Sequence, residues 1–143
     1  MNVLEIYAIP GFREPVSSFT HLLAVPVFLI LGWFLVRRAG NCWTGKISLS
    51  VLVVTSIFLL SMSGVYHLLW AGAAKDVLLH LDVTAVFTLI AGTATPVHVL
   101  LFRGVYRWAP LVFVWGTSIT GIVLRLVLGE GFPPAGRTAL FLG

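Results

Sequence analysis

Residues 47–74 of this chain read ISLSVLVVTSIFLLSMSGVYHLLWAGAA and contain no Asp, Glu, Lys or Arg. The hydrocarbon core of a bilayer is about 30 Å thick, and roughly 20 residues of α-helix cross it. The apolar residues run continuously instead of alternating with polar ones, which indicates a helix. The stretch is therefore predicted to be a membrane-spanning helix.

Further charge-poor stretches lie on either side of this run, at residues 15–36, 83–102 and 108–124. The last one reaches spanning length only if Arg107 or Arg125 extends its charged end to the interface. Charged residues make up 10% of the 143 residues and hydrophobic residues 59%, whereas a soluble domain carries about 25% charged residues. The sequence therefore predicts an all-α fold, a polytopic helical membrane protein with four transmembrane helices present.

A single membrane domain is predicted for residues 1–143, with spans at about 16–36, 48–70, 79–102 and 107–127. A Gly/Pro loop, GEGFPPAGR, follows the fourth span and leads into TALFLG at residues 138–143. These last residues are expected to start a fifth span, so the chain is expected to be a fragment or a truncated product. A cleaved signal peptide needs a basic start, and Glu5 and Glu14 before the first run disfavour one.

The net charge of +4 and the pI near 9.9 do not indicate a nucleic-acid partner. The basic residues lie mostly in the short links between spans, as is usual for membrane proteins, and the expected partners are membrane lipids. Five basic residues flank the links after spans one and three, and four lie on the other side. This margin slightly favours an external N-terminus by the positive-inside rule.

Polar side chains that could take part in catalysis or bind a metal lie near one end of the predicted spans. Ser63 and His67 are four residues apart and therefore share one helix face. Two antiparallel crossings bring His21, His80 and Asp82 to the same side of the membrane, while the remaining histidine, His98, lies at the far end of span three. An ionisable residue inside a span is by default a functional candidate.

Each of these residues also has an ordinary structural interpretation. Asp82 can cap a helix at the level of the lipid headgroups, and Ser63 can donate to a carbonyl of its own helix. His67 can be a satisfied polar residue near a span end. Zinc takes three or four ligands, and the sequence contains neither HExxH nor CxxC. The residues alone therefore do not decide whether a metal site is present.

Three stretches carry a resemblance to a known family: EPVSSFTH at 14–21, SGVYHL at 63–68 and LDVTAVFTLIAGTATP at 81–96. They resemble the hemolysin III family, the bacterial branch of the progestin and adipoQ receptor group. That group belongs with the alkaline ceramidases to one superfamily of membrane proteins. The resemblance covers most of the chain, from Glu14 onwards.

The resemblance implies a seven-helix bundle in a bacterial plasma (inner) membrane, with the N-terminus in the cytoplasm. It also implies a zinc ion bound by His67 and by two histidines of an H-x3-H in the seventh span. Asp82 matches the aspartate that orients a zinc-bound water, and Ser63 matches the serine one turn before the ligand. Glu14 and His21 match an N-terminal motif to which the chemistry assigns no role.

Zinc is therefore the expected cofactor, with His67 as metal ligand and Asp82 and Ser63 as catalytic residues. The corresponding function is a zinc-dependent hydrolase acting on a lipid amide or ester. The alternatives are a membrane-active, haemolysin-like protein, a lipid-homeostasis or receptor-like protein without catalysis, and a truncated inactive fragment. Enzymatic activity is expected only if the C-terminal histidines exist.

Overall fold

The computed structural model describes residues 13–70 and 72–128 as a chain of four long helices. They are α1 (Pro15–Arg38), α2 (Trp43–Leu68), α3 (Ala73–Leu101) and α4 (Val105–Leu128). All four are long and apolar enough to cross a membrane, and the described residues contain no strand. The prediction of an all-α polytopic membrane protein is confirmed. The predicted start of a fifth span, at 138–143, lies outside the described residues.

Two helices begin several residues before the apolar runs that predicted them. α2 begins at Trp43 and α3 at Ala73, against predicted span starts near 48 and 79. Lys46 and Lys75 interrupt the apolar pattern without interrupting the helical backbone. Hydropathy therefore marks the part of a helix that suits lipid, while the helix itself continues beyond it.

Each helix packs against its neighbour in the sequence, α1 on α2, α2 on α3, and α3 on α4. The described links are short, and consecutive helices run antiparallel. Each link contains a glycine with positive φ, namely Gly40 at 58°, Gly72 at 156° and Gly104 at 62°. A positive φ costs glycine little because it has no Cβ. The tight reversals explain why sequence neighbours are also neighbours in space.

Small residues form the contacts between the helices. At four glycines an added Cβ would lie too close to a side chain of a neighbouring helix, namely Gly32 against Val53, Gly64 against Leu22, Gly92 against Thr55 and Gly121 against Phe87. Large apolar side chains point outwards, as Leu23 and Phe113 do at 68% and 70% exposure. This arrangement is typical of helices in lipid, where small residues permit close backbone approach.

Hydroxyl groups inside the bundle are mostly satisfied by their own helix. Ser48 donates to the carbonyl of Gly45, and Ser56 donates to that of Leu52. The bilayer core offers no water, so an unsatisfied polar group there costs several kcal/mol. These internal hydrogen bonds let hydroxyl residues occupy the interfaces between helices without that cost.

The two ends of the bundle differ in charge. We call the end with the 39–42 and 102–104 links the basic side, and the opposite end the head side. The basic side carries Arg37, Arg38, Lys46, Arg103 and Arg107. The sequence has no Asp or Glu between Glu14 and Asp76 or between Asp82 and Glu130. The basic side is therefore positively charged throughout.

Replacing Gly92 by alanine tests the closest contact between α2 and α3. The new Cβ would lie 2.8 Å from Cβ of Thr55, and overpacking of this kind typically costs about 1–3 kcal/mol. We expect this loss in the free energy of unfolding, measured by circular dichroism during SDS titration of mixed micelles. Gly116→Ala is the matched control because its Cβ would meet nothing within 4 Å. Equal behaviour of the two variants would contradict the packing described.

The single cysteine provides a test of orientation. Cys42 is exposed on the basic side, and a hydrogen bond with the Thr44 hydroxyl lowers the pKa of its thiol. A lower pKa gives more thiolate at neutral pH and hence faster alkylation. If the N-terminus is cytoplasmic, a membrane-impermeant maleimide should label Cys42 in intact spheroplasts, and Thr44→Val should slow the labelling. Labelling only in inverted vesicles would show the opposite orientation, with the N-terminus outside.

Candidate functional site

A polar stripe on the first turns of α1 faces the last turns of α2. Glu14, Ser18 and His21 are spaced four and three residues apart, which places them on one face of the helix. This face meets Ser63, Gly64 and His67 of α2 through direct contacts. The structure therefore brings the family-like stretches at 14–21 and 63–68 together at the head side.

The shortest contact in this cluster joins Glu14 and His67. Oε2 of the carboxylate lies 2.6 Å from Nδ1 of the imidazole, and the backbone N–H of Glu14 donates to the His67 carbonyl at 3.3 Å. A carboxylate accepts hydrogen bonds and does not donate them, so Nδ1 of His67 is the donor. The hydrogen bond fixes the orientation of the ring and directs its proton to Nδ1.

Two further hydrogen bonds continue the contact one and two turns deeper. The hydroxyl of Ser18, which is fully buried, donates to the carbonyl of Gly64 at 2.8 Å. Nδ1 of His21 lies 3.0 Å from Oγ of Ser63. Gly64 makes this approach possible because a Cβ at that position would lie 2.8 Å from atoms of Leu22. Ser63 is thus held by a histidine from the neighbouring helix.

Aromatic rings and a buried lysine surround the His67 imidazole. The rings of His21 and Tyr66 lie edge-on to it, with centroids 5.8 Å and 5.3 Å away. Lys75 is only 6% exposed, and its ammonium lies 4.5 Å from the Tyr66 ring centroid. The same ammonium donates to the carbonyl of Leu69 at 3.0 Å. Lys75 therefore ties the start of α3 to the end of α2 beside the cluster.

Asp82 lies at a similar depth on the neighbouring helix. Gly92 of α3 faces Thr55 of α2, and the two helices run antiparallel with the same rise of 1.5 Å per residue. Ten residues along each helix lead from Gly92 to Asp82 and from Thr55 to Val65, midway between the serine and the histidine of α2. One carboxylate oxygen of Asp82, Oδ1, is buried without a hydrogen-bond partner in the described part of the chain.

The remaining histidines are engaged elsewhere. Nδ1 of His80 lies 2.8 Å from the carbonyl of Asp76, within its own helix. His98 stacks on Phe102 towards the basic side, with centroids 5.1 Å apart. Within residues 13–70 and 72–128, no three His, Cys, Asp or Glu side chains are placed to hold a metal ion together. The described residues thus offer His67 as one candidate ligand and do not complete a ligand set.

Sequence reasoning left Glu14 and His21 without a role and did not single out Ser18 or Lys75. A signal for the first three was available, because polar residues at positions i, i+4 and i+7 stand out in an apolar run. Lys75 offered no such signal. Its burial depends on how the 69–72 link folds, and the sequence shows only a lysine between two spans.

The fold and this cluster define a multi-pass helical membrane protein with a polar site between its first helices. Residues 11–143 match the model of the haemolysin-III related family, so the chain belongs to that family. The match confirms the resemblance seen in the sequence.

Two curated relatives share this assignment. The chain is 30% identical over 124 residues to the Hemolysin-3 homolog of Bacillus subtilis (strain 168), covering 84% of this chain and 57% of the relative. It is 26% identical over 126 residues to Hemolysin-3 of Bacillus cereus, covering 84% of this chain and 56% of the relative. The chain thus spans little more than half the length of these relatives. No solved structure matches it at a significant level.

Replacing Glu14 tests whether the carboxylate sets the tautomer of His67. In the native protein we expect neutral His67 to carry its proton on Nδ1, and in Glu14→Ala we expect this preference to be lost. Glu14→Gln should retain part of it because an amide oxygen still accepts. Nitrogen-15 chemical shifts of histidine-labelled protein report the tautomer, with His98 as internal control. An unchanged His67 signal in Glu14→Ala would show that the contact is not formed.

Proposed function

We propose that the full-length protein is a zinc-dependent hydrolase of a bacterial plasma membrane that acts on a lipid amide or ester. His67 is the proposed zinc ligand in this chain. The observation that supports the proposal is the hydrogen bond between Nδ1 of His67 and the Glu14 carboxylate. Histidines that bind metals almost always donate their other ring N–H to a carboxylate, a carbonyl or water.

The contact prepares His67 for a metal in two ways. A proton held on Nδ1 leaves the lone pair of Nε2 available, as a neutral imidazole ligand requires. The carboxylate also restricts the rotation of the ring, which keeps Nε2 pointing in one direction. The donor chemistry of His67 therefore fits zinc. The other ligands are the two histidines that the family resemblance assigns to a seventh span.

Asp82 and Ser63 are the proposed catalytic residues. Zinc, when bound, supplies a water whose pKa is lowered towards about 7. The buried, unpartnered Oδ1 of Asp82 is suited to accept a hydrogen bond from a water molecule and to take its proton. The Ser63 hydroxyl, oriented by His21, is suited to donate to the oxygen of a substrate carbonyl. Together the two residues would position the attacking water and stabilise the developing negative charge.

The position of the site supports a lipid as the substrate. The cluster sits between helices whose outer faces carry large exposed apolar side chains, such as Leu23 and Val27. Such faces suit lipid tails, so molecules that reach the site laterally are membrane lipids. An amide or ester bond of such a lipid is the group that this site would hydrolyse, with Asp82 taking the proton of the attacking water and Ser63 donating to the carbonyl oxygen.

Metal analysis of the protein expressed with its native C-terminus tests the proposal. We expect about one zinc per chain after purification without chelators, measured by inductively coupled plasma mass spectrometry. His67→Ala should lose most of this zinc. Glu14→Ala should weaken zinc binding by about 10- to 100-fold, as is typical when the partner of a ligand is removed.

His98→Ala is the matched control because His98 lies towards the basic side, away from the cluster, and it should keep its zinc. A native protein without metal would refute the zinc proposal and favour the membrane-active interpretation. Retention of full zinc by His67→Ala would show that the metal binds elsewhere.

A further inference from the structure

A cleft on the basic side lies apart from the candidate zinc site. It has a volume of about 610 Å³, within the range of about 300–1,000 Å³ of small-molecule sites. Its walls come from the end of α1, the first half of α2 and Trp115 of α4. Val36, Ile47, Val51 and Val54 make most of the surface apolar, and Trp43 and Lys46 stand at its outer end.

Lys46 gives the cleft a charged end. The residue is half-buried, and its ammonium makes no ion pair or hydrogen bond within the described part of the chain. Four arginines lie on the same side of the bundle, and the flanking sequence contains no acidic residue. The described part of the protein therefore provides no counter-ion for this ammonium on the rim of an apolar cleft.

The long axis of the cleft also runs in the same direction as a lipid molecule in a bilayer. Lys46 lies in the first turn of α2, and Thr55 lies nine residues further along the same helix. At 1.5 Å per residue, this separates them by about 14 Å along the helix axis. Trp43, 73% exposed next to Lys46, is a residue type that collects at the level of lipid headgroups. The apolar walls extend from that level towards the bilayer centre.

We propose that this cleft binds an anionic glycerophospholipid. The headgroup phosphate pairs with the ammonium of Lys46, and one acyl chain lies along Val51 and Val54 towards Trp115. A basic side chain near a membrane surface is worth about 1 kcal/mol towards anionic lipid. This corresponds to a preference of about five-fold for an anionic over a zwitterionic headgroup. The site is independent of the proposed hydrolase activity.

Quenching of tryptophan fluorescence by brominated lipids tests the proposal. Trp115 is kept as the single tryptophan by replacing the other four of these 143 residues, and any in the rest of the full-length protein, with phenylalanine before reconstitution in vesicles. Bromine on an acyl chain of phosphatidylglycerol should quench Trp115 with an apparent affinity about five-fold higher than bromine on phosphatidylcholine. Lys46→Gln should bring this ratio close to one.

Arg103→Gln is the matched control, because Arg103 is an exposed cation of the same side that does not line the cleft. This variant should keep the preference. Equal quenching by the two lipids in the native sequence would overturn the proposal. Loss of the preference in Arg103→Gln and not in Lys46→Gln would assign it to the surface and not to the cleft. Failure of both lipids to quench Trp115 would show that other parts of the protein cover the cleft, and would overturn the proposal as well.

Discussion

The absence of water from the bilayer core is the constraint on which the rest of this structure depends. A polar group placed there is costly unless it finds a partner within the protein. Most hydroxyls meet this need locally, by donating to a carbonyl one turn away, as Ser56 and Thr88 do. The exceptions reach another helix. Ser18 donates across to Gly64, and Glu14 pairs with His67. These polar contacts between helices are concentrated at the head side.

The sequence was sufficient for the parts of the fold that depend on composition and spacing. Charge-poor runs predicted four helices, and the four-residue spacing of Ser63 and His67 correctly placed them on one face. Other features depend on what a side chain meets across an interface. Spacing shows that Glu14, Ser18 and His21 share a face, but it does not show which helix that face contacts. The pairing of Glu14 with His67 became visible only with the docking of α1 on α2.

The first helix changes how the candidate site is understood. α2 and α3 by themselves contribute a serine, a histidine and an aspartate, and each of these has an ordinary structural explanation. α1 adds a carboxylate to the histidine and an imidazole to the serine. These additions orient the two side chains, which is what distinguishes a prepared site from polar residues that happen to be near one another. The described acidic residues, Glu14, Asp76 and Asp82, all belong to the head side, opposite the basic side. The proposed zinc site and the proposed lipid-binding cleft thus lie at opposite ends of the bundle.

Gly64 has a consequence for how such proteins lose their site in evolution. It carries no reactive group, yet a methyl group there would lie 2.8 Å from side-chain atoms of Leu22, so that either Leu22 must change its rotamer or α1 must move away from α2. In the second case Glu14 would leave His67 and Ser18 would lose its acceptor, although every polar residue of the site would still be present in the sequence. A lineage can therefore take this cluster apart by a substitution that changes none of its polar residues. A survey that counts only the chemically active residues would still class such a descendant as intact.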